Sequence, residues 1–135
     1  MSLDDNKALA RRFFASLDSS KGGPEAGLVA PTYKALIAGH DLPSRDAHDG
    51  LAKVFYGAVA DLQHLVREVL AEDDRVAVRF TFVGTHTGDS LGVPPTGKKL
   101  SAEGLGLVRI ANGKVTDLEV QFDEMGLMRQ LGVIK

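Results

Sequence analysis

Near the start of the chain the apolar residues fall at helical spacing. Leu9, Phe13 and Leu17, with Phe14 beside them, mark one face of an amphipathic helix that Asp4 or Asp5 can cap. The run Ser19-Ser20-Lys21-Gly22-Gly23-Pro24 breaks it. Pro24 to Leu28 suits a short second helix. From Ala30 to Ala38 the apolar positions Tyr33, Leu36 and Ile37 lie tightly between Pro31 and Gly39, which predicts a short helix or turn leading into an extended piece. His40-Asp41-Leu42-Pro43 reads as loop. Asp49-Gly50 then opens a helix whose stripe Leu51, Val54, Phe55, Ala58, Val59 and Leu62 follows the i, i+3, i+4, i+7 pattern.

Beyond Leu62 the period changes to two. His64 to Leu70 predicts a strand, and Glu72-Asp73-Asp74 a polar turn. Val76, Val78, Phe80 and Phe82 alternate with Ala77, Arg79, Thr81 and Val83, as in a half-buried strand. Gly84 to Lys99 is a glycine- and proline-containing loop, and Leu100 to Ile110 a long strand bent at Gly104 and Gly106. Asn112-Gly113 is a strong hairpin signal joining it to Val115–Phe122. Asp123 to Leu131 predicts a terminal helix stopped by Gly132. Helices followed by successive antiparallel strands predict an α+β fold, in which a curved sheet closed by helices encloses a cone-shaped cavity. No repeat or linker divides residues 1–135, so one domain is expected.

Composition narrows the function classes. The chain is 44% hydrophobic and 25% charged, a globular profile. It has no cysteine, which excludes disulfides and thiolate metal sites. Net charge is −2, and the densest basic spots are the pairs Arg11-Arg12 and Lys98-Lys99, too few to track a nucleic-acid backbone. No apolar run reaches the length of a membrane span. The first residues are acidic and lack an apolar core, so no signal peptide is visible and a cytoplasmic location is expected. No histidine pair has HExxH or zinc-type spacing, so a metal site is not expected.

Three segments together carry a family likeness. They are Arg75-Val76-Ala77-Val78-Arg79-Phe80; Gly84-Thr85-His86-Thr87-Gly88 with Leu91-Gly92-Val93-Pro94-Pro95-Thr96-Gly97; and Asn112-Gly113-Lys114-Val115 with Phe122-Asp123-Glu124 and Leu127-Met128-Arg129-Gln130-Leu131-Gly132. In order and spacing they resemble the SnoaL-like polyketide cyclases. The resemblance runs over most of the chain and is strongest from about Asp73 to Gly132. It implies the NTF2-like fold and a homodimer. It also implies a cofactor-free intramolecular aldol condensation that closes a ring in a polyketide ester. By the same resemblance the acid/base aspartate is Asp123, and a pocket histidine falls on His40. Relatives often carry a tryptophan a few residues before the aspartate. This chain has no tryptophan, and Glu119 in that stretch would make the pocket more polar.

The residues themselves leave alternatives open. Asp123 can exchange protons with a carbonyl substrate, or it can cap the helix it precedes. Glu119 and Gln121 share the parity of Asp117 and Asp123, so this polar set faces either the pocket or water. His86, where a strand leaves the sheet, can polarise a carbonyl oxygen or simply bond backbone. Arg79 and Glu103 can pair across two strands. Phe14 and Tyr33 are the aromatic residues chosen to line the cavity. His48 is expected at the surface and His64 in a strand, neither with a role. The leading function is acid/base chemistry on a small hydrophobic carbonyl compound, with enol isomerisation as near neighbour. A non-catalytic binding protein and a ligand-free dimerisation module are the alternatives.

Overall fold

The computed structural model describes residues 2–134. Helix α1, Leu3–Ser20, starts in a capping box: the Asp5 N–H donates to Ser2 Oγ at 3.0 Å and the Ser2 N–H to Asp5 Oδ2 at 3.2 Å. The cap is thus Ser2, and the two aspartates occupy the first turn, where they oppose the positive end of the helix dipole. Leu9, Ala10, Phe13, Phe14 and Leu17 form its buried face, and Lys21 ends it in the left-handed region at φ 53°.

A single 3-10 turn, Ala26–Leu28, stands where a short helix was expected. The next stretch corrects the sequence reading. Strand β1, Val29–Ile37, is extended throughout, with Tyr33 and Ala35 inward and Lys34 and Leu36 outward. Pro31 falls where the pairing of β1 is interrupted, between Val29 and Lys34, a position a strand proline tolerates. Ala38 and Gly39, at φ 50° and 84°, turn the chain into β2, His40–Leu42, so the expected loop is an edge strand. Helix α2, Arg45–Ala58, begins a full turn earlier than its apolar stripe suggests, because the Ser44 hydroxyl accepts from the Ala47 N–H.

The remaining elements are β3 (Gln63–Glu72), β4 (Arg75–Thr85), β5 (Lys99–Ala111), β6 (Lys114–Phe122) and α3 (Glu124–Leu131). The sheet order is β2-β1-β6-β5-β4-β3. It is a mixed sheet, since β1 runs parallel to β6 and every other pair is antiparallel. Alternation dictates which face of β1 turns inward, but the long connection from β1 to β6 leaves direction free. Asn112 and Gly113, at φ 51° and 73°, make the two-residue β5–β6 turn. The inner face carries Val76, Val78, Phe80, Val108, Ile110, Val115, Leu118 and Val120 against α1.

Gly104 serves a packing need. A Cβ there would lie 2.4 Å from Cζ of Phe80, a fully buried ring that would have to shift. Gly104→Ala is therefore expected to destabilise the fold by about 1–3 kcal/mol, the usual cost of overpacking. Gly106→Ala, whose nearest atom is Phe14 Cζ at 3.1 Å, should cost less. Urea unfolding of the two variants checks the order.

Candidate active site

An apolar cavity lies between α1, α2 and the inner face of β4 and β6. Phe14, Leu51, Phe55, Phe80, Phe82, Leu118 and Val120 form much of its wall. The space open to the centre of a water molecule is about 50 Å³. A second apolar hollow of about 30 Å³, reaching Leu91, Leu100 and Leu127, shares Phe55, Leu62 and Phe82 with the first. Pockets for drug-sized ligands measure several hundred Å³. A substrate of that size requires these shared side chains to swing aside and join the two hollows.

Among the described residues, the polar side chains lining the cavity are His48, Tyr56 and His64. His64, near the start of β3, is held from behind. Asp18 Oδ1 lies 2.7 Å from His64 Nδ1, and Asp18 Oδ2 accepts the His64 backbone N–H at 2.8 Å. The Tyr56 hydroxyl donates to Asp18 Oδ1 at 2.7 Å. Burial raises the Asp18 carboxyl, but the bonds from His64 and Tyr56 outweigh it and hold the group below its usual value of 3.8. An ionised carboxylate only accepts, so Nδ1 of His64 carries a proton, and no protein group among the described residues bonds its Nε2. Phe14, Phe80 and Phe82 surround that ring, with centroids at 5.8, 5.5 and 4.7 Å.

His48, on α2, takes the opposite polarity. Its Nδ1 lies 2.9 Å from the Tyr33 hydroxyl. Burial, then the charge of Asp117, pushes the Tyr33 phenol up, so it stays protonated. Among the described residues no other acceptor meets that hydroxyl, so it donates to Nδ1, and His48 Nε2 carries a proton. Burial above all, with repulsion from His64 and Arg45 against attraction from Asp49, lowers His48 to about 4. The neutral ring is a hydrogen-bond donor suited to a carbonyl or enolate oxygen.

The residues singled out in the sequence are dispersed. Phe14 lines the cavity, and Tyr33 stands behind it, reaching it through His48. Asp123 is exposed at the end of β6, where its Oδ1 accepts the Gly126 N–H at 2.9 Å and caps α3. The preceding Phe122 packs on Phe55 and Phe82, two residues of the cavity wall. Glu119 and Gln121 are exposed on the outer sheet face, because Leu118 and Val120 take the inward parity of β6. His40 is exposed on the edge strand β2. His86 is buried in the loop after β4, where Nδ1 accepts the Thr96 N–H at 3.2 Å and lies 3.0 Å from its hydroxyl. Arg79 pairs with Glu68 at 3.5 Å, while Glu103 accepts the Thr81 hydroxyl at 3.0 Å, so the expected Arg79–Glu103 pair is not formed.

Two expectations are corrected. His48 is 3% exposed and not at the surface. His64 turns into the cavity, on the parity that β3 shares with its partner Phe82. The pattern contained a signal for each. His48, Leu51, Ala52 and Phe55 continue one helical stripe upstream, and all four line the cavity. Asp18 is an acid in the last turn of α1, against the helix dipole, with no basic residue there to offset it. Such a residue asks for a partner elsewhere in the fold.

A curved α+β sheet wrapped on helices, with an apolar cavity and a few polar groups, is the architecture of the NTF2 and ketosteroid isomerase-like folds. A protein of that fold from Catenulispora acidiphila superposes with TM-score 0.72 over 92% of both chains, at 13% identity. The family model for SnoaL-like polyketide cyclase matches residues 8–131, and the chain belongs to that family. It is 39% identical over 57 residues to the aklanonic acid methyl ester cyclase DnrD of Streptomyces peucetius, covering 42% of this chain and 39% of that one. It is 33% identical over 87 residues to the nogalonic acid methyl ester cyclase of Streptomyces nogalater, covering 56% and 65%. The matches thus span less than two thirds of either relative. The structure of AclR from Streptomyces galilaeus has TM-score 0.88 and 28% identity, covering 99% of this chain and 100% of that one.

Proposed function

We propose that this protein is an acid/base enzyme that closes a ring in a small hydrophobic polyketide ester by intramolecular aldol condensation. The observation that carries the reading is membership of the SnoaL-like cyclase family over residues 8–131, joined to an apolar cavity served by the neutral donor His48. In this reading a substrate carbonyl oxygen sits against His48, and the hydrophobic skeleton spreads along Phe55 and Phe82 into the second hollow. Asp123, the acid/base residue the resemblance supplies, serves the reaction from the cavity rim beside Phe122. To do so its carboxylate leaves the cap of α3.

Aklanonic or nogalonic acid methyl ester, the compounds named for the two cyclase relatives, is the test substrate. A ring-closed product is the expected result. Binding without turnover would instead favour a non-catalytic binding protein. Asp123→Asn can keep the cap through its amide oxygen and lacks the acid. Its kcat is expected to fall about 100-fold or more while ligand binding persists. Full activity in that variant would leave Asp123 as a cap only.

The enzyme is further proposed to be a homodimer formed through the outer sheet face. Leu70, Ala77, Leu107, Glu119 and Leu36 follow one another across neighbouring strands, with Leu105 in the adjacent row. All four leucines named here are exposed. Charges of both signs, Lys34, Arg79, Arg109 and Asp117, flank the apolar strip, as a self-complementary interface needs. Sedimentation of the wild type is expected to give a dimer and of Leu107→Asp a monomer. A monomeric wild type would end this reading.

A further inference from the structure

Aldol closure contains two proton transfers of opposite sense. One group must take a proton from the carbon beside a carbonyl, and the new alkoxide must receive one. In the cyclase reading the carbon skeleton of the substrate occupies the apolar cavity, so the first transfer falls there. Asp123 lies outside that cavity, on an exposed helix cap. Among the described residues, the lining side chains that can titrate are His48, Tyr56 and His64. Tyr56 is a donor already engaged by Asp18, and the Nδ1 of His48 is occupied by Tyr33. His64 has its Nδ1 engaged, and no protein group among the described residues bonds its Nε2.

We propose that His64, oriented by Asp18, is the base that removes the α-proton of the substrate, and that Asp123 then serves only the alkoxide. The assignment rests on the cyclase reading above and deepens it. Three contacts fix the ring: Asp18 at Nδ1, the backbone bond to the same carboxylate, and the wall of Phe14, Phe80 and Phe82. Asp18 does not reach the cavity and is a positioning residue. It fixes the tautomer with Nε2 unprotonated, and its negative charge stabilises the imidazolium that forms. The step balances without a co-reactant. The C–H bond breaks, its proton goes to Nε2 and its electron pair to the enolate held against His48. The enolate carbon attacks the second carbonyl, and that carbonyl's π pair becomes the alkoxide. The alkoxide takes a proton at the rim, and the imidazolium returns its own to solvent.

Hydrogen–deuterium exchange at the α-carbon separates this step from ring closure. Aklanonic acid methyl ester is followed by NMR in D2O, with the uncatalysed rate in buffer subtracted. Wild type and Asp123→Asn are both expected to accelerate exchange, although only the wild type closes the ring at full rate. His64→Asn keeps a side-chain N–H where Nδ1 donates to Asp18 and lacks Nε2. Its exchange and its kcat are expected to fall about 100-fold or more with binding retained. If His64→Asn fails to fold, His64→Ala with added imidazole replaces it, and rescue of exchange by imidazole is expected. Asp18→Asn should slow exchange in the wild-type background and add nothing to His64→Asn, which a purely structural role would not produce. Exchange at the wild-type rate in His64→Asn, or no rescue of a folded His64→Ala, overturns the assignment. Neither exchange nor closure by the wild type would instead sink the cyclase reading itself.

Discussion

Acidification from pH 6.5 to about 4 is expected to remove roughly 3 kcal/mol of folding stability through His48 alone. The imidazole has its ordinary value of 6.5 in the unfolded chain and is lowered to about 4 in the folded one. At 1.36 kcal/mol per pH unit, that difference gives the figure. The sign follows from which state binds the proton. Above 6.5 both states hold neutral His48 and its burial carries no penalty. As the pH falls below 6.5 the unfolded chain takes up a proton that the folded site refuses, so unfolding gains, and the loss is complete near 4. The groups facing His48 agree with this. Tyr33 of β1 occupies Nδ1, His64 of β3 and Arg45 of α2 disfavour a second positive charge, and only Asp49 favours it. The lowered carboxyls Asp5, Asp18, Asp49 and Asp61 act in a separate window, losing their contribution below 3.8. Urea unfolding of wild type and His48→Asn across this range is the measurement. The asparagine keeps an acceptor for Tyr33 and has no proton to gain, so its curve should be flatter between pH 6.5 and 4. Parallel curves would show that His48 is not the group responsible.

The difference between what the sequence made legible and what it hid follows the same residues. Alternation in Val76, Val78, Phe80 and Phe82, the Asn112-Gly113 turn and the Gly132 stop are local signals, and each element formed where it was expected. Helix α2 was recognised from its apolar stripe, but a stripe counted only in hydrophobic residues stops before His48. The first turn of the helix and the cavity histidine therefore fall outside that stripe. β1 is obscured by Pro31 and Gly39, which bound the stretch tightly and argue against a strand in isolation. Its place was decided by the parallel partner β6, from Lys114 onward, which no local pattern encodes. The Asp18–His64 contact joins the end of α1 to the start of β3 and depends wholly on how those elements pack. Asp123 illustrates the converse. Its local role as a helix cap was legible from Phe122-Asp123-Glu124 and is formed, whereas its chemical role rests on the family likeness.

Replacing Asp18 by alanine is expected to cost on the order of 3 kcal/mol at neutral pH, since hydrogen bonds to a charged group contribute about 1.5–3 kcal/mol each. The substitution leaves three donors without an acceptor: the Tyr56 hydroxyl, the His64 backbone N–H and the His64 Nδ1–H. The side chain of Asp18 is 24% exposed, so water recovers part of the loss and the three contributions do not simply add. Tyr56→Phe removes one donor together with its need for a partner, and its expected cost is about 1 kcal/mol. On that background Asp18→Ala should cost less than it does alone, because one orphaned group is already gone. The pH dependence gives an independent check. The folded Asp18 carboxyl lies below its unfolded 3.8, so its contribution is full above 3.8 and is lost as the pH falls through the lower folded value. Stability curves of wild type and Asp18→Ala should therefore stay apart at neutral pH and converge only in strong acid. Curves that coincide at pH 7 would mean the carboxylate gains nothing net from its three donors. Separation at pH 7 that closes in acid would show why an acid can sit in the last turn of α1 against the helix dipole: the bonds it accepts exceed that penalty. The same charge that stabilises the fold then holds the ring of His64, a residue of the cavity wall, at Nδ1.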